Sequence, residues 1–372
     1  MGVDAHAARP DDAESSSTAR DQPMASQLDS NDPGGSSEAR RLAELARAAG
    51  LGRSPGDALR WQREAIEQVD TEVPTPLVVD MLRWQGSVLR DSGHVLEAEP
   101  LYQRSLAMAK EIGYEAGIAH ALNCLGIIAQ RRGDLAAAAT YYRDALAVAE
   151  RCGEHRLVGM IEQNLGVVAD VRGNPAAALA HYRVALHSFE EASDVQQVSW
   201  VLNNLGILLV KDRQFEEARA SFERALDLLR ERGELLFEGM VEENRAELEL
   251  EVGNLGAALR SIERARTIAE QRDDGLRVAA ALKLLGVHQR LTGDTAASEA
   301  TLGRAAALSS AGEDPLIDAE IAYQIGCTRA ARGDTDSARE AWTRALAAFE
   351  RIGAREWASR AQSRLAEIPV VE

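Results

Sequence analysis

The sequence predicts an all-α chain, an α-solenoid of about eight antiparallel helix pairs closed by a C-terminal capping helix. Three observations carry that prediction. Gly86, Gly126, Gly166, Gly206, Gly286 and Gly326 stand on a lattice of 40 residues, and the remaining node carries Ala246. Seven residues after each node comes a second series, Gly93, Gly133, Gly173, Gly253, Gly293 and Gly333, interrupted only by Arg213. Aromatic residues make up only 4% of the 372, while small and aliphatic residues abound, which favours closely packed helices over a β-sandwich. A register this long and regular is the signature of a stacked repeat rather than of two or three separate domains.

The elements follow in chain order. Residues 1–37 are rich in Asp, Ser, Ala, Pro and Gly with almost no large apolar side chain. Such a segment cannot offset its ordering entropy, so disorder is expected there, with Met24 open as an alternative start. A degenerate first unit is read over 38–72, with Ala46, Ala58 and Ala65 at the node, twelve and nineteen positions. Regular units then run at 40-residue spacing over 76–353. Within each, the small node residue and the alanine twelve later (Ala98, Ala138, Ala178, Ala218, Ala258, Ser298, Ala338) let two helices approach closely. The large residue at sixteen (Tyr102, Tyr142, Tyr182, Phe222, Ile262, Leu302, Trp342) fills the adjoining gap. A third small series, Ser105, Ala145, Ala185, Ala225, Ala265, Ala305 and Ala345, stands at nineteen.

Punctuation agrees. The second glycine supplies the left-handed conformation that ends helix A. Asp134, Asn174, Asn254, Asp294 and Asp334 follow it as N-caps of helix B, and Pro175 suits a first helical turn. The two "RGD" triplets, at Arg132 and Arg332, are therefore helix punctuation and not adhesion motifs. Gly113, Gly153, Gly233 and Gly353 end helix B. Residues 354–368 read as the capping helix an end repeat needs to keep its apolar face from water.

The set Leu125, Gly126, Ala138, Tyr142 and Ala145 resembles the tetratricopeptide repeat (TPR) consensus. The unit here exceeds the usual ~34 residues by about six, and the proline near the end of the consensus unit is lacking. Forty-residue units of this kind are similar to those of peptide-binding scaffolds and of the sensor arms of bacterial regulators. The resemblance implies a right-handed superhelix whose A helices line a concave groove. The residues then expected on the groove are His120, Asn123, Ile127 and Gln130, followed by Met160, Gln163 and Val167. Trp200, Asn203 and Ile207 continue the stripe, then Glu243 and Glu247, then Lys283 and Arg290, then Tyr323. Amides both donate and accept, which suits an extended peptide backbone, and the apolar members suit its side chains. The same amides equally suit bridges between adjacent A helices, and Met160 and Trp200 equally suit a core.

One unit departs from the rest. "EGMVEENRAELELEV" stacks Glu243, Glu247 and Glu251 at i, i+4 steps without interleaved lysines. Like charges so placed weaken a helix, so either neighbouring cations (Lys211, Lys283 and Arg290 are at hand) or a basic partner segment is expected to face them.

Composition narrows function. A net charge of -17 argues against direct nucleic-acid binding and against an anionic membrane surface. No apolar run approaches the ~18 residues needed to span a bilayer, and no signal-peptide core opens the chain, so a soluble cytoplasmic protein is expected. Cys124, Cys152 and Cys327 lack metal-type spacing, and no HExxH, GxGxxG, Walker or nucleophile-elbow motif occurs. Neither metal nor cofactor nor catalysis is expected. What remains is a non-catalytic scaffold or adaptor that holds a peptide or disordered segment of a protein partner, with self-association left open. Two alternatives stand beside it: a regulatory sensor whose superhelix responds to a peptide or small effector and controls a transcription or signalling partner, and a non-catalytic subunit of an enzyme complex.

Overall fold

The computed structural model describes Arg41, residues 60–61, 64–65 and 67, and the stretches 69–309 and 314–367. The tail expected over 1–37 lies outside these residues, as do Ala46 and Ala58 of the degenerate first unit. Ala65 is described, and it is buried with Leu77 and Met81.

The chain forms two compact units, divided between Leu205 and Gly206. The first contains α1 (Pro76–Asp91), α2 (Val95–Glu111), α3 (Glu115–Arg131), α4 (Leu135–Cys152), α5 (His155–Val171) and α6 (Pro175–Glu191). The division falls inside α7 (Val195–Lys211). The second unit continues with α8 (Phe215–Arg232), α9 (Leu235–Val252), α10 (Leu255–Gln271), α11 (Gly275–Leu291) and α12 (Thr295–Ser309). It ends with α13 (Pro315–Ala331), α14 (Thr335–Ile352) and α15 (Arg355–Glu367), and among the described residues no strand occurs. Odd-numbered helices are the A helices of the sequence register and even-numbered ones the B helices. The result is an α-solenoid of antiparallel helix pairs.

The register residues explain the pairing. Every member of the twelve, sixteen and nineteen series exposes at most 5% of its surface. The node glycine lies under the large side chain of the residue sixteen later: a Cβ added at Gly86 would stand 2.7 Å from Tyr102 Cε1, at Gly206 2.5 Å from Phe222 Cε1, and at Gly286 2.6 Å from Leu302 Cγ. No real side chain tolerates that approach, so the residue type at the node sets how closely A and B can pack.

Helix ends also follow from local chemistry. The carboxylate or amide of Asp134, Asn174, Asn254, Asp294 and Asp334 accepts a backbone N–H three residues on, at 2.9 to 3.4 Å. Arg213, the exception in the second glycine series, takes the same left-handed conformation as its glycine counterparts, with φ of 61°. Four further caps open A helices: Thr75 accepts from Val78 N at 3.3 Å, Asp194 from Gln197 N at 3.2 Å, Asp274 from Arg277 N at 3.0 Å, and Asp314 from Leu316 N at 2.9 Å.

Within the first unit α1, α3 and α5 touch in succession, and within the second α9, α11 and α13 do the same. The A helices therefore form the inner side of each unit. α15 packs on α14 and buries Ala358 and Ala361 against the final pair.

Candidate functional site

In the first unit the inner side is built from α3 and α5. His120, Ile127 and Gln130 on α3 are half-buried, as are Met160, Gln163 and Val167 on α5. They are spaced by three, four or seven residues, so helical geometry turns them to one side. The flank of this row is occupied by internal bonds. Asn123 is 2% exposed, and its Oδ1 accepts from Asn164 Nδ2 at 3.0 Å, so this amide bridges one A helix to the next. Gln130 Oε1 accepts from the Tyr142 hydroxyl at 2.9 Å, which ties the row to the B helix behind it. Further along, Trp200 and Asn203 on α7 are buried. The first unit thus presents apolar surface from Ile127, Met160 and Val167 with amide capacity from Gln163 beside it.

The second unit presents charge instead. Ile207 is buried. Glu243, Glu247 and Glu251 of α9 each meet a cation from elsewhere: Arg277 Nη1 lies 3.1 Å from Glu243, Lys283 Nζ 3.6 Å from Glu247, and Arg213 Nη1 3.9 Å from Glu251. Lys283 is itself buried, and its Nζ donates to Glu320 Oε2 at 2.6 Å. Burial alone would lower the pKa of this ammonium; the carboxylates of Glu320 and Glu247 outweigh burial and hold it raised. Arg290 is half-buried and donates through Nη2 to Gln324 Oε1 at 3.3 Å. Tyr323 meets Trp357 of α15 edge to face at 5.4 Å between ring centroids.

The other face of α9 carries acids that the stripe did not include. Glu238, Glu242 and Glu249 are buried to within 2%. Arg264 reaches Glu238 at 2.8 Å, Arg230 reaches Glu242 at 2.6 Å and Arg219 reaches Glu249 at 2.7 Å. The signal available in the sequence was an arginine-rich pair of B helices, α8 and α10, on either side of an acidic A helix.

Burial pushes the Cys327 thiol up, and burial together with Glu115 does the same for Cys152, so both stay protonated near neutrality. Among the described residues no group of His, Cys, Asp and Glu is placed to hold a metal ion. No helix of the described residues is long and apolar enough to cross a membrane.

Helix pairs stacked with their A helices inward and an accessible row along them define a repeat solenoid whose inner face presents surface. Residues 77–151, 117–191 and 164–231 match the tetratricopeptide repeat family. The chain over 77–231 is thus a tetratricopeptide-repeat array, and the same register and node packing continue through α14. No curated protein matches the sequence. Solved structures of the same fold include the apo form of RapI, with a TM-score of 0.64 at 13% identity over 88% of this chain and 96% of that one. The apo quorum sensor NprR of B. thuringiensis gives 0.63 at 14% identity over 84% and 87%. A tetratricopeptide repeat protein from Parabacteroides merdae ATCC 43184 gives 0.53 at 18% identity over 76% and 98%.

Proposed function

We propose that the protein is a non-catalytic interaction scaffold of the cytoplasm that holds a peptide or disordered segment of a partner protein on its A-helix face. The observation that supports this reading is the half-buried row on α3 and α5, in which Ile127, Met160 and Val167 alternate with the amide of Gln163. A packed core would bury these side chains fully, and a solvated face would not carry three apolar ones in register. An extended segment laid across the row buries the apolar members and meets the amide with its backbone. Asn123, already committed to Asn164, acts by holding α3 and α5 in place rather than by meeting the partner. A second reading is a sensor that responds to a peptide, prompted by the fold shared with the quorum sensor NprR.

Capture from native lysate tests the scaffold. Ile127→Glu combined with Val167→Glu should lower capture of the principal partner tenfold or more, equivalent to about 1.4 kcal/mol. Val184→Glu, a charge placed on a 46% exposed position of the B helix α6, should leave it unchanged. A partner retained by the double variant and lost with Val184→Glu would move the binding surface away from the A-helix face.

A further inference from the structure

The A helices α9, α11, α13 and α15 of the second unit, with Leu255 of α10 and Trp342 of α14, line a cavity of about 660 Å³. That is within the range of small-molecule sites, roughly 300–1,000 Å³. Part of its wall is apolar and fixed. That part includes Leu250, Leu284 and Val287 and the indoles of Trp342 and Trp357. Trp342 Nε1 donates to the Tyr323 carbonyl at 3.1 Å, while Trp357 stacks on Phe349 with centroids 5.5 Å apart. Neither ring is free to collapse into the space.

In a chain of net charge -17, four cations and two carboxylates line this one cavity. The cations differ in what already holds them. Lys283 is committed to Glu320 and Glu247. Arg360 and Arg364 pair with Glu356 and Glu367, whose side chains are 68% and 62% exposed, an arrangement water screens heavily. Arg290 lies within 4 Å of no carboxylate among the described residues: its one partner is the neutral amide of Gln324, and its Nε is buried without a hydrogen bond. A guanidinium so placed has a planar fork of donors suited to a carboxylate. Glu247, another residue of the cavity lining, likewise has a buried atom, Oε2, without a hydrogen bond.

We propose that this cavity binds a small apolar carboxylate that also carries an N–H donor, of the N-acyl amino acid class. The acid group sits on Arg290, the N–H faces Glu247, and the apolar body lies between Leu284 and the two indoles. The same chemistry occurs in a free acyl amino acid and at the apolar C-terminal end of a peptide. The site shares Lys283 and Arg290 with the A-helix stripe, but its test contains no partner protein, so it stands or falls separately from the scaffold reading.

Calorimetric titration of the full chain with N-acetyltryptophan and N-acetyl-leucine, each against its neutral carboxamide, decides the matter. A pentapeptide with an apolar C-terminal residue, free or amidated, separates the two sources. Saturable binding should appear with a free acid or the free-ended peptide and weaken at least tenfold on amidation. Arg290→Met should weaken it to the same extent, and Val287→Trp, which fills the cavity, should abolish it, both variants keeping the wild-type circular dichroism spectrum. Amides binding as well as acids, affinity unchanged in Arg290→Met, or no saturable binding by either the acids or the peptide at millimolar concentration would overturn the proposal.

Discussion

The contact between a node glycine and the ring facing it is the smallest unit of this fold, and it can be tested by adding one methyl group. At Gly166 a Cβ would stand 2.7 Å from Tyr182 Cε1. Two effects compete in Gly166→Ala. Alanine gains about 1 kcal/mol of helix propensity over glycine. Overpacking a filled interior costs about 1–3 kcal/mol, and Tyr182, only 5% exposed, has nowhere to turn. The clash should win, lowering the urea midpoint by the equivalent of up to about 2 kcal/mol. The chain already contains the solution at Ala246, which shares a buried cluster with Ile262 where most units have a ring. Combining Gly166→Ala with Tyr182→Ile copies that pair, so the double variant should cost less than the two single ones added together, by about 1 kcal/mol. Strict additivity would mean that the node is conserved along the register for some reason other than ring contact.

At the scale of the helix, α9 shows both what was legible in the sequence and what was not. The 40-residue register predicted the helices, their caps and the close approach of A to B, because each of those depends on residues near in the chain or on a strict period. Glu243, Glu247 and Glu251 were recognisable as an anomaly, and of the cations at hand Lys283 does face Glu247. The burial of Glu238, Glu242 and Glu249 was not legible, since their partners Arg264, Arg230 and Arg219 lie on B helices of two different pairs. Nor was the bond from Asn164 to Asn123, which needs the exact rotation of two A helices. The candidate site was therefore readable as a stripe, while its division into accessible and committed residues depended on packing. Lys283 tests how α9, α11 and α13 are joined. Its raised pKa means that its contribution is fully present below the unfolded value of 10.5 and is lost as pH rises through the folded one. Lys283→Met leaves Glu320 and Glu247 buried beside an apolar stem, at a cost of about 3–5 kcal/mol. Adding Glu320→Leu should recover part of that loss, because it removes one of the two buried carboxylates left without a cation while Glu247 stays. A chemical denaturation series on the three proteins measures it, and a double variant as unstable as Lys283→Met would show that the pair does more than neutralise itself.

Across the whole molecule the acid limb of stability sets two electrostatic effects against each other. The chain carries -17 at pH 7 with a pI near 5.0, so lowering pH toward that point relaxes self-repulsion and stabilises the folded state. Buried carboxylates act in the opposite sense. Burial would raise the Glu238 carboxyl, but Arg264 and Arg230 outweigh it and hold it below its ordinary value of 4.5. A depressed carboxyl contributes stability that is present above its unfolded value and disappears as pH falls through the folded one. Glu238 therefore takes no part in the change between pH 7 and the pI and contributes to the loss below about 4.5. Urea midpoints followed down from neutrality should rise to a maximum near the pI and then fall steeply. Raising the salt to about 1 M contracts the Debye length to ~3 Å and should flatten the rise, leaving the fall in place because the carboxylates of Glu238, Glu242 and Glu249 are themselves buried. Glu238→Gln should lower the plateau and make the fall shallower, since one proton-linked group is gone. A midpoint that declines steadily from neutrality, in low and high salt alike, would mean that the buried carboxylates of the second unit, and not the surface charge, already govern stability at pH 7.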